Sequence, residues 1–261
     1  MLTESPLTAL HFLGFDAHPG SCDDYLTHVQ HSVDNQQNTT VLAHNLHSLY
    51  LYYRSSSLRK CYENKVNMVD GMPIIWLLQL AGKKIAGNKI DRTKRLTYVD
   101  FIWPLLQQAQ QNNWRVCHVG QSSAVQQQAL ANIKAKCPDL QLLGIPGYFD
   151  HTANSAGSLS VVEEINDFSP QLLLVGLGSP LQEHWIFHHR QQLQVPAVLS
   201  CGACMEYVAG NVGTPPRWMG RTGLEWSYRL LENPRRFASR YLLEPWALLF
   251  SMLRYRLSGH H

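Results

Sequence analysis

No stretch of this sequence approaches the ~18–20 uninterrupted apolar residues of a membrane-spanning helix. The most apolar part of its C-terminal segment, 241–253, is shorter and is broken by Glu244 and Pro245. Residues 1–20 lack the basic start and clean apolar core of a signal peptide, so a cytoplasmic chain is expected. Cysteine is sparse: six in 261 residues, at 22, 61, 117, 137, 201 and 204, exclude a disulfide-stapled scaffold. Cys201 and Cys204 form a single CxxC with no second pair at zinc-ribbon spacing, which favours small buried residues over a metal or redox site. Charge is low as well. Only 16% of residues are charged and the formal net charge is +3, too slight for a protein dedicated to duplex nucleic acid. What remains abundant is apolar: 45% hydrophobic residues over this length exclude a disordered chain and support a large core. There is no internal repeat.

Lysine and aspartate are missing altogether from residues 211–261, which hold eight Arg and three Glu, a charge of +5. Residues 1–210 hold 14 basic and 16 acidic residues, a charge of −2. Arginine without lysine points to bidentate contact with phosphate or carboxylate, beside the plain alternative of a solvated helical face. Trp, Tyr and Phe interleave with these arginines, the composition of an interfacial membrane element and equally of a helical cap packed on the body. The expected division is therefore an α/β body over 1–210 and a basic helical docking appendage over 211–261.

Within the body, short apolar runs at 40–42, 115–119, 140–144, 172–175 and 197–200 read as buried strands. Helical patterns at 74–81, 101–112, 124–137 and 181–192 lie among them, which predicts an α/β fold with a mostly parallel sheet. In such sheets ligands bind beyond the carboxyl ends of strands. Two strand ends fit: one runs into Gly120-Gln-Ser-Ser123, the other into Gly176-Leu-Gly-Ser-Pro180, each followed by a helix whose N–H groups could meet phosphate. Neither is a complete GxGxxG or Walker motif, and glycine also serves packing in such turns. Asp70, in Asn67-Met-Val-Asp-Gly-Met-Pro73, is placed for a general base or for an ordinary turn or helix cap. Gln182 and Glu183 open a helix, where they could bind sugar hydroxyls or simply favour the helix start. Asp91 and Asp100 flank the basic residues Arg92, Lys94 and Arg95, by themselves a solvated charge run.

Taken in order, these segments resemble the WecG/TagA/CpsF family of bacterial glycosyltransferases. The resemblance runs from a strand ending at Asn45 through Val69-Asp-Gly-Met-Pro-Ile-Ile-Trp76, Arg95-Leu-Thr-Tyr-Val-Asp100 and Gly144-Ile-Pro-Gly-Tyr-Phe149. Its most specific block is Val175-Gly-Leu-Gly-Ser-Pro-Leu-Gln-Glu-His-Trp185, followed by Pro216-Arg-Trp218, Gly223-Leu-Glu-Trp226, Tyr228-Arg-Leu230 and Arg240-Tyr241. The resemblance implies a Rossmann-like, inverting enzyme that needs neither metal nor other cofactor. It would move a sugar from a UDP-sugar to a polyprenyl-diphosphate-linked saccharide in cell-surface polysaccharide synthesis. N-acetylmannosamine, its uronate or a hexose such as glucose are the donors in view.

The family's base falls on Asp70. The candidate substrate-binding residues are Asn45, Arg95, Thr97, Asp100, Gly120, Gly176, Gly178, Ser179, Gln182, Glu183 and Glu206, with Arg217, Arg221 and Arg229 as candidates for a diphosphate. The implied partners are the UDP-sugar, the lipid-linked acceptor and the anionic inner face of the bacterial plasma membrane, without nucleic acid; the aromatic tail leaves room for self-association. Ala43, His47, Met205 and Glu206 depart from the family pattern. Ala43, Met205 and Glu206 motivate a second reading, a catalytically impaired nucleotide-sugar-binding or assembly protein. An NAD-dependent oxidoreductase is disfavoured, because no GxGxxG opens the first strand–helix unit.

Overall fold

The computed structural model describes residues 6–257, without the side chains of Arg217, Arg221 and Arg236. The first third comprises β1 (Leu10–Phe12), β2 (Phe15–Ala17), α1 (Cys22–Asp34), β3 (Thr39–His44), α2 (Leu46–Arg54), α3 (Ser56–Tyr62), β4 (Val66–Val69) and α4 (Met72–Leu80). The middle adds β5 (Lys84–Ile85), β6 (Asn88–Lys89), α5 (Tyr98–Gln111), β7 (Arg115–Gly120), α6 (Ser123–Lys136), β8 (Gln141–Ile145), α7 (Ala156–Phe168), β9 (Leu172–Gly176) and α8 (Leu181–His189). The chain ends with β10 (Ala197–Ser200), α9 (Cys204–Ala209), α10 (Arg217–Thr222), α11 (Glu225–Glu232), α12 (Pro234–Ala238) and α13 (Glu244–Leu257), with a π-helical turn at Ser239–Leu243 before the last.

Six strands form one parallel sheet in the order β4-β3-β10-β9-β7-β8, as an α/β pattern requires. Every residue of β9 and β10 is buried, which is why both read as unbroken apolar runs instead of alternating ones. The chain separates into two compact units. One holds Cys22–Leu42 and Tyr98–Gly213; the other holds Leu7–Ser21, Ala43–Thr97 and the residues from Thr214 onward.

In the first unit β7 lies between β8 and β9, so the chain leaves β7 to one side and returns on the other. The carboxyl ends of β7 and β9 therefore flank a reversal of strand order, the place where open α/β sheets bind ligands. Register puts Gly120 directly beside Gly176 there. Tyr25 of α1 meets Phe101 of α5 edge to face, 6.2 Å between ring centres, under the sheet.

In the second unit an aromatic cluster forms the core. His44 stacks on Tyr62 at 4.5 Å and meets Phe15 and Tyr52 edge-on. Burial lowers the His44 pKa to about 3, so the ring is neutral, and its Nδ1 pairs with Ser48 Oγ at 2.7 Å. The last helix belongs to this core: Leu248 and Met252 of α13 are buried, and Tyr255 meets Tyr53 of α2 at 5.3 Å.

Candidate active site

Asn45 closes β3 and caps α2. Its Oδ1 accepts the N–H groups of His47 and Ser48, both at 3.1 Å, while Ser48 Oγ accepts the Asn45 N–H at 2.8 Å. This capping box fixes the amide: the oxygen must face the two N–H groups, so Nδ2 faces the other way. There it donates to Asp70 Oδ2 at 3.3 Å.

Asp70 follows β4, with its own N–H bonded to the His44 carbonyl at 2.9 Å. Gly71 caps α4 at φ 107°, a conformation natural only to glycine, and makes no side-chain cap. The Asp70 carboxylate is thus not consumed as a helix cap, the plain alternative its sequence context allowed. It opens into a cavity of about 240 Å³ that also exposes Asn45, Arg229, Arg240, Trp76 and Trp226. Carboxylate and amide lie with two guanidinium groups and two indole rings, a set suited to a sugar and an attached anion.

Arg240 belongs to a block of the sequence resemblance but is given no site role there. It projects from the π-helical turn, and its NH2 donates to Asn45 Oδ1 at 3.4 Å. Burial pushes its pKa below the ordinary arginine range and Arg229 adds to this, whereas Tyr241, Glu244 and Asp70 oppose it. One helical turn further on, Glu244 Oε2 pairs with His47 Nδ1 at 2.6 Å. Burial lowers the His47 pKa and Arg240 lowers it further, against the pull of Glu244. Glu244 of α13 thus sets a carboxylate against His47. The signal available in sequence was the spacing: Arg240 and Glu244 are four residues apart and so share a helical face.

Arg95 lies close by. Its NH1 pairs with Glu225 Oε2 at 3.3 Å, and a Cβ on Gly220 would fall 2.5 Å from its NH2. Thr97 is buried in this unit and is not among the residues lining the cavity. Arg217 and Arg221 have side chains outside the described residues, so their candidacy rests on sequence.

The remaining candidates belong to the first unit. Asp100 is in the first turn of α5. Gly120 and Gly176 are in such close contact that a Cβ on Gly120 would lie 2.5 Å from the Gly176 carbonyl oxygen. Gln121 Nε2 donates to the carbonyls of Gly176 at 3.2 Å and Gly202 at 3.0 Å, tying three strand ends together. Around Gly178 there is open space, and the Ser179–Pro180 peptide is cis. Ser179 Oγ is buried without a hydrogen-bond partner. Gln182 donates to Glu183 Oε1 at 2.9 Å and accepts the Gly202 N–H at 3.1 Å, so it braces the turn after β10. Glu206 is half-buried on α9, with Asn211 Nδ2 at 3.5 Å. Cys201 and Cys204 are buried free thiols whose pKa values burial raises, which fits the packing role read from sequence.

The sequence model of the Glycosyl transferase WecG/TagA/CpsF family matches residues 10–261. This chain belongs to that family. Among its relatives is an N-acetylglucosaminyldiphosphoundecaprenol N-acetyl-beta-D-mannosaminyltransferase of Bacillus spizizenii, 29% identical over 168 residues, 64% of this chain and 61% of the relative. Proteins of the same name from Bacillus subtilis and Staphylococcus aureus strain MW2 are 26% and 27% identical, over 69% and 54% of this chain and 65% and 54% of their own lengths. The WecG/TagA/CpsF chain described here thus spans less than two thirds of each of these relatives. Among its described residues no helix is long and apolar enough to cross a membrane.

Proposed function

We propose that the protein is an inverting glycosyltransferase that moves a sugar from a UDP-sugar to a saccharide carried on a polyprenyl diphosphate, without a metal. The observation that carries this reading is the cavity in which Asp70, held by Asn45, faces two arginines. In the reaction, an acceptor hydroxyl oxygen bonds to the donor's anomeric carbon as the bond from that carbon to the diphosphate oxygen breaks. UDP leaves with the bonding electron pair, and Asp70 takes the hydroxyl proton. The glycine-lined ends of β7 and β9, with Gly178 and Ser179, are the proposed seat of the nucleotide. Arg229, joined by Arg217 and Arg221, is the proposed contact for a diphosphate.

The relatives' printed names support an acceptor of the N-acetylglucosaminyl-diphosphoundecaprenol type and an N-acetylmannosaminyl donor group, and these are the first substrates to test. The exposed side chains Trp246, Leu249, Phe250 and Leu253 of α13, with Arg254 and Arg256 on the same helix, support peripheral docking on an anionic membrane surface. The test is transfer from a panel of UDP-sugars to a polyprenyl-diphosphate acceptor in the presence of a chelator. Turnover that requires added divalent metal would overturn the metal-independent part. Tight UDP binding with no turnover on any acceptor would instead favour the catalytically impaired reading.

A further inference from the structure

Four of the chain's eight lysines fall within twelve residues, 83–94, together with Arg92 and against the single acid Asp91. The fold makes this run a hairpin. Ala86 and Gly87 both have positive φ, 47° and 80°, and form the two-residue turn between β5 and β6. The register then sets Lys84 directly opposite Lys89. Like charges facing each other across a strand pair destabilise it, and a pair of two-residue strands has little stability of its own to set against that. Gln79 of α4 supports the hairpin from below, donating to the Ile90 carbonyl at 2.5 Å. Asp91 accepts from the Thr93 N–H at 2.7 Å, and the cations that act on its carboxylate are Lys94 and Arg92, at the other end of the run from Lys84. Among the described residues no ion pair involves Lys83, Lys84, Lys89 or Arg92. Beside these cations stands Leu80, 86% exposed at the end of α4, with Trp76 one helical turn behind it on the same face.

We propose that the β5–β6 hairpin and the exposed end of α4 form a second docking surface for an anionic lipid bilayer, distant in sequence from the C-terminal helices. Headgroup phosphates would seat against Lys84 and Lys89 and remove their mutual repulsion. The small turn residues Ala86 and Gly87 let both strands approach the headgroup plane. Leu80 distinguishes a bilayer from nucleic acid: an apolar side chain among cations enters the acyl boundary, whereas a phosphate backbone offers it nothing. The identity of the partner rests on the proposed lipid-linked acceptor. Trp76, on the same face as Leu80, also lines the Asp70 cavity, so a bilayer held here lies beside that cavity.

The test is flotation of the full chain with vesicles of phosphatidylglycerol and phosphatidylcholine, without donor or acceptor. A failed transfer assay, which would sink the enzymatic reading, is therefore scored separately. Lys84→Gln/Lys89→Gln should weaken partition about 10- to 30-fold on anionic vesicles and leave the slight binding to pure phosphatidylcholine unchanged. Its unfolding temperature should be equal to or above that of wild type, since a like-charge pair has been removed. Leu80→Ser should weaken binding at both low and high salt. Unchanged partition of the lysine variant overturns the proposal. So does a loss of binding accompanied by a lower unfolding temperature, which would make the hairpin structural. Displacement of wild type by millimolar inorganic phosphate at fixed ionic strength would mean a small-anion site. Tighter binding to an oligonucleotide than to vesicles would mean a nucleic-acid surface.

Discussion

Asn45 uses the two ends of one amide for different tasks: the oxygen caps α2 and the nitrogen holds Asp70. Because the cap fixes the amide plane, the proposed base is oriented by a local secondary-structure rule. Asp70→Asn keeps the shape but removes the proton acceptor. It should lower the transfer rate about 10²- to 10⁴-fold while donor binding and the unfolding midpoint stay near wild type. Equal rates for the two proteins would rule Asp70 out as the base. Glu244 touches His47 and shares a helical face with Arg240. Glu244→Gln weakens a short, largely buried contact to His47 and should cost about 1 kcal/mol of stability. Urea unfolding measures that cost, and no change would mean the 2.6 Å contact contributes nothing net.

Helix α13 has two unlike faces. Leu248 and Met252 are buried in the second unit, while Trp246 is 74% and Phe250 69% exposed. The buried face explains why this helix is part of the unit's core, and the outer face is available for lipid. Trp246→Ser/Phe250→Ser should leave the unfolding midpoint unchanged and remove vesicle binding that survives about 0.5 M salt, where charge attraction is screened. The hairpin lysines should govern the salt-sensitive remainder. If the double variant binds vesicles at high salt as wild type does, α13 is not the apolar anchor.

Two buried imidazoles, His44 in the second unit and His118 in the first, are lowered by burial to about 3. Unfolding returns each to an ordinary pKa near 6.5, so below that pH the unfolded chain binds a proton that the folded chain refuses. Stability is fully present above about pH 6.5 and falls as the pH drops toward 3, by up to about 1.4 kcal/mol per pH unit for each histidine. Unfolding midpoints that stay flat from pH 6.5 to 5 would contradict this. By itself the sequence determined the central strands, because strands buried on both faces are unbroken apolar runs, and it determined the glycine-rich strand ends and Asp70, because chain conformation and chemistry there depend on a few adjacent residues. Only the tertiary structure decided that His47 meets Glu244, 197 residues away, that Arg240 joins Asn45 beside Asp70, and that Lys84 faces Lys89. Those contacts depend on where whole elements pack and on strand register, and neither is encoded in the spacing of neighbouring residues.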